Sequence, residues 1–152
     1  IAGAQYPNAT DWPANVDWLE HVPPEAHAAF YSRQRYTLNV TRDDMRKAGW
    51  SPSVRLFEAA ACNTPIITDT WPGLDDILPV GTAVLAARCT DDVVSLLELQ
   101  PEGERQGVAE AARHIVLREH TGLVRARQLV DALAEPAAGV ESHAAQHRWR
   151  AV

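Results

Sequence analysis

In SPSVRLFEAAACNTPIITD, residues 51–69, a short amphipathic helix breaks and a run of β-branched residues starts almost at once. Ser51 suits the N-cap, and Pro52 suits the first helical position, where a missing N–H costs nothing. Val54, Phe57 and Ala61 recur at i, i+3 and i+7, an apolar stripe. Asn63 can take the left-handed conformation that ends a helix. PIITD then reads as a buried strand. A helix over 52–62 followed directly by such a strand must lay its apolar side on a sheet.

The same alternation runs along the chain. IAGA reads as the end of a buried strand, and NATDWPANVDW is a turn-rich loop. Strand patterns fall at 16–22, at 35–40 (RYTLNV), at PIITD and at TAVLAAR. Helix patterns fall on PPEAHAAFYSRQ, where Ala28, Ala29 and Phe30 can face a core, on the short WPGLDDILPVG segment, and on TDDVVSLLELQ, capped by Thr90 with Asp91 and Asp92 in its first turn. Two more follow, at 101–120 and 122–134. TRDDMRKAGW is a polar connection with room for one helical turn. Strands alternating with helices of about ten residues predict an α/β fold, a doubly wound, Rossmann-like parallel sheet with helices on both faces. Residues 1–134 form this domain. Residues 135–152 (EPAAGVESHAAQHRWRAV) lack periodicity and are expected to be a disordered or loosely attached tail.

Length and charge narrow the function. A chain of 152 residues, 46% apolar, suits one domain with a single core. A net charge of -6 argues against broad binding to nucleic acid or anionic membranes. No apolar run approaches the ~18 residues of a membrane span. Two cysteines, Cys62 and Cys89, imply a reducing, cytoplasmic setting rather than a disulfide framework. Cys62, at a helix end with no base in evidence, reads as a buried structural thiol. The start IAGAQYP carries neither Met nor a signal-peptide pattern, so the chain is expected to be a piece of something longer.

One face of the helix at 52–62 can do chemistry. Seven residues make nearly two turns, which puts Ser51 and Glu58 on one face about 10 Å apart, with Arg55 close by. The helix start adds free N–H groups and a positive dipole end. Donors for a phosphate are thus followed by a carboxylate that can accept two hydrogen bonds from a ribose diol. The plainer alternative is an i, i+3 ion pair between Arg55 and Glu58. Asp69 reads as capping the turn before Trp71. The six histidines do not gather with cysteines at metal-ligand spacing and read as surface groups. No G-x-G-x-x-G occurs, which removes the main signal for a dinucleotide dehydrogenase. Of the tryptophans, Trp50 and Trp71 flank the motif.

The segment 51–69, with YTLNVTR ahead of it and REHTGLVRARQLVDAL late in the chain, resembles the C-terminal, donor-binding domain of GT-B glycosyltransferases of group 1, the family 4-like set. It is most similar to the branch that includes the spore maturation protein CgeB. That resemblance implies a glycosyltransferase that uses a nucleotide diphosphate sugar as donor, with no cofactor and no metal, and an N-terminal acceptor domain absent from this chain. It puts Glu58 on the ribose and Arg42 on the diphosphate. Ser53 and Val54 supply backbone N–H groups, Arg55 lies beside them, and no catalytic residue is assigned. The sequence departs from the family at two points. Ser51 stands where a glutamate contacts the donor sugar, and Asn63 stands where glycine is usual. The loss of that glutamate keeps a second reading open, a non-catalytic Rossmann-like module that binds a nucleotide or a protein.

Overall fold

The computed structural model describes residues 1–3, 6–7 and 10–134. The tail expected at 135–152 lies outside the described residues. After a 3-10 turn at Pro24–Ala26 the elements are α1 (His27–Ser32), β1 (Thr37–Asn39), α2 (Asp43–Ala48), α3 (Val54–Ala61), β2 (Ile66–Thr68), α4 (Leu74–Ile77), β3 (Leu85–Ala86), α5 (Thr90–Leu99), α6 (Glu102–Glu119) and α7 (Gly122–Ala134). The strands form a parallel sheet in the order β1-β2-β3, with Leu38 opposite Ile67 and Ile67 opposite Leu85.

The centre of the fold is α3 and its exit. Asn63 has φ 59°, the left-handed region expected of it. Its N–H donates to Ala60 O at 3.0 Å, and Thr64 N–H donates to Ala59 O at 3.0 Å. These two bonds make a Schellman ending, which reverses the chain tightly enough for β2 to start at Ile66. The hydroxyl of Thr64 donates to Tyr31 O at 2.8 Å and ties α1 to the same corner.

Every residue of β2 is buried, so its side chains must be covered on both faces. On one face Ile66 joins Leu56, Ala59 and Ala60 of α3, Leu74 of α4, and Ala112 and Val116 of α6. On the other Ile67 meets Leu85, Ala87 and Val108, with Val93 and Leu96 of α5 packed alongside. Helices therefore cover both faces of a parallel sheet, as the alternation predicts.

Several local expectations change. α3 starts at Val54, not residue 52, and its N-cap is Ser53, whose Oγ accepts the Arg55 N–H at 3.3 Å. Of the expected stripe, Phe57 and Ala61 are half-buried against the core and Val54 is 71% exposed, while Leu56, Ala59 and Ala60 are fully buried. The helix is clamped between sheet, α1 and α6, so the small alanines that allow close approach turn inward instead. For the same reason α1 buries Tyr31 and half-buries Phe30, and leaves Ala28 and Ala29 exposed. Cys89, not Thr90, precedes α5 as N-cap, and the Asp92 carboxylate accepts the Arg88 N–H at 2.8 Å. The strand at 16–22 reduces to a single bridge between Leu19 and Ala2, because a lone parallel pairing with exposed side chains gains little from extension. TAVLAAR keeps only Leu85–Ala86 as strand. No described helix is long and apolar enough to cross a membrane.

Leu56 is fully buried at the α3–sheet contact. Leu56→Ala should lower unfolding free energy by about 2–5 kcal/mol. Denaturant titration followed by circular dichroism reads this, and a loss below about 1 kcal/mol would mean that α3 is not anchored as described.

Candidate functional site

In a parallel sheet the connections leaving the strands gather at their carboxyl ends. Here the segment leaving β1, the loop leaving β2 and the start of α3 meet. Asp69, just past β2, accepts the Thr41 N–H at 2.9 Å, so its carboxylate ties the two exits together. Gly49 and Trp50 both have positive φ and sit against Pro72–Gly73, with Trp50 N–H donating to Pro72 O at 2.8 Å. A Cβ on Gly73 (φ 97°) would lie 2.5 Å from the Trp50 ring, so this crossing of two loops requires glycine. Trp50 stands 64% exposed at the rim.

The first turn of α3 faces this crevice. Ser51 and Ser53 are half-buried beside it, and the Ser53 side chain takes the Arg55 N–H. The N–H groups of Ser53 and Val54 have no intrahelical acceptor. Arg55 does not pair with Glu58. Its guanidinium donates to Asn39 Oδ1 at 3.2 Å, and Asn39, buried at the end of β1, donates in turn to Thr68 Oγ1 at 3.0 Å. The cation is thereby anchored to both strands. Arg42 lies three positions past Asn39, exposed, at the N-cap position of α2.

Glu58 reaches across to α1. Its Oε1 lies 3.1 Å from His27 Nδ1, and its Oε2 accepts the Tyr31 hydroxyl at 3.1 Å. His27 Nε2 lies 2.9 Å from Val22 O. Both ring nitrogens thus face groups that only accept, and the doubly protonated imidazolium satisfies both. The Val22 carbonyl and then Glu58 accordingly hold the His27 pKa above its ordinary value. Burial, reinforced by the Glu58 charge, pushes the Tyr31 hydroxyl up to about 12, so it remains a donor. His27, Tyr31 and Arg55 also line an open cleft of about 1090 Å³ beside β1, with Tyr36 and Leu38.

Sequence reasoning found Arg55 and Glu58 but not the residues that hold them. His27 is not an idle surface histidine, and Tyr31 and Asn39 were not singled out. One signal was readable: His27 and Tyr31 are four apart, so they share a face of α1. That this face meets Glu58, 27 and 31 positions along the chain, was not readable. Cys62 is half-buried against the core rather than fully enclosed. Among the described residues no three His, Cys, Asp or Glu side chains gather at metal-binding distance.

A parallel sheet flanked by helices, with its crevice at the strand ends and an α3 N-terminus facing it, is a Rossmann-like half of a GT-B fold. The chain belongs to the Glycosyl transferase-like family, whose sequence profile matches residues 1–131. No curated protein matches it. Among solved structures, sucrose-phosphate synthase from Thermosynechococcus elongatus superposes with a TM-score of 0.60 at 16% identity. The match covers 77% of this chain and 29% of that one, so the chain spans under a third of that relative. At this identity the likeness speaks for the fold.

Two outcomes test the site. Gly73→Ala should destabilise the protein by about 1–3 kcal/mol through strain at positive φ and the clash with Trp50, read as a lowered Tm. For His27 the sign follows from its raised pKa. The stabilisation is complete below the unfolded value near 6.5 and fades as pH rises through the folded value. Tm should therefore fall as pH rises above about 6.5, and this component should vanish in His27→Gln. Equal pH dependence in both proteins would contradict the His27–Glu58 pair.

Proposed function

We propose that this chain is the donor half of a glycosyltransferase, which moves a sugar from a nucleotide diphosphate to an acceptor hydroxyl. The observation that carries the reading is the order of groups along α3. Free amides and a strand-anchored guanidinium stand at its start, and a carboxylate stands about one turn further on. In this reading the diphosphate meets the N–H groups of Ser53 and Val54 together with Arg55 and Arg42, where the helix dipole also favours an anion. Glu58 accepts the ribose hydroxyls, and Ser51 faces the sugar. Fixed donors around the departing diphosphate stabilise the charge that builds there, which is the main catalytic service such a half can give. No resident metal is called for. The acceptor side, and any general base, belongs to a further domain.

Within the family, YTLNVTR and GWSPSVRLFEAAAC favour the CgeB-like branch. Cys62 and Cys89 are both unpaired, which suits a reducing compartment, and we assign the protein to the cytoplasm.

Calorimetric titration with UDP, GDP and ADP tests the reading. One nucleotide should bind at micromolar to millimolar strength, and Glu58→Ala should weaken it by about tenfold or more, the loss of hydrogen bonds to a charged group. Undiminished binding by Glu58→Ala would remove Glu58 from the site and favour a non-catalytic module.

A further inference from the structure

We propose that His27 and Tyr31 are positioning residues that hold the Glu58 carboxylate in the one orientation that accepts a ribose diol. The proposal rests on the donor reading above and goes beyond it. A carboxylate has about four acceptor sites, two on each oxygen. His27 occupies one on Oε1 and Tyr31 one on Oε2, each at 3.1 Å. One site on each oxygen remains, and these two neighbouring acceptors match the spacing of two vicinal hydroxyls. Glu58 keeps 36% of its side-chain surface exposed, so those sites are reachable.

Both holders are themselves fixed. His27 is anchored through Nε2 to Val22 O at 2.9 Å, and the Tyr31 main-chain carbonyl is gripped by the Thr64 hydroxyl at 2.8 Å. Tyr31 is 7% exposed, so its ring cannot swing away. Its ring also packs edge-on against both His27 and Phe30. A glutamate on an open helix face samples several rotamers, and binding must then select one at an entropic cost. Here that selection is made before the ligand arrives, by side chains from a different helix. Both holders also line the open cleft beside β1.

The test is discrimination between ribose and deoxyribose. The full chain is titrated with UDP, GDP and ADP and with their 2′-deoxy counterparts, as wild type, Glu58→Gln, Tyr31→Phe and His27→Gln. The wild type should prefer a ribonucleotide by about tenfold or more, through the 2′-hydroxyl bond to a carboxylate. Tyr31→Phe and His27→Gln should each lower that ratio by about threefold to tenfold, chiefly by weakening the ribonucleotide. General damage would weaken both sugars alike and leave the ratio unchanged. Tyr31→Phe retains the ring and serves if His27→Gln proves unstable. If Glu58→Gln abolishes the preference while the two holder variants keep it, the positioning roles are wrong and the ribose role stands. A wild type without preference, or without binding, overturns the ribose role and the positioning roles together.

Discussion

The left-handed turn at Asn63 fixes the relation between helix and sheet on which the rest depends. β2 is buried on both faces, and α3 presents three fully buried side chains to it. Two such elements can be joined by four residues only if the helix ends sharply and its last carbonyls are satisfied at once. The bonds from Asn63 and Thr64 meet both demands. Asparagine tolerates positive φ, though glycine is the commoner choice, because its short side chain crowds the backbone little. With the exit of α3 fixed, its first turn has to lie at the carboxyl ends of the strands.

From there the polar groups follow a consistent logic. Arg55 and Glu58 sit three apart on one helix, where an ion pair between them would be easy to make and worth little. Each instead reaches a different element. Arg55 binds Asn39, which is 1% exposed and hydrogen-bonded to Thr68 across the sheet. Glu58 binds His27 and Tyr31 of α1. Each charge is therefore oriented by partners on another element. Orientation of this kind is what recognition of a ligand with an anionic part and a diol part needs, whereas a mutual pair would cancel both.

Much of this was legible in the primary structure. The β-branched run PIITD, the alanine-rich helix ahead of it and the Asn63 stop show the helix–strand unit, because each rests on local preferences. The alternation of elements gives the parallel sheet and its two covered faces. Helix starts were less legible. Ser51, Pro52 and Ser53 all suit an N-terminus, and only the observed bond from Arg55 N to Ser53 Oγ selects among them. The apolar stripe of α3 was legible in part, since Phe57 and Ala61 do pack against the core but Val54 does not. Phe57 and Val54 are the more hydrophobic residues, but the sheet accepts the alanines, since small side chains let helix and sheet approach closely.

The sequence by itself determined the class of fold, the helix that carries the ligand-facing groups, and the chemistry available on it, because these depend on composition and on spacing within one element. The tertiary structure decided the partners. That Arg55 turns to Asn39, that Glu58 turns to His27 and Tyr31, and that Gly49–Trp50 crosses Pro72–Gly73 are all contacts between elements separated by more than a dozen residues. No local preference encodes such contacts. They arise when burial of the sheet brings α1, α3 and the strand ends together, and each polar group then takes the partner that lies within reach.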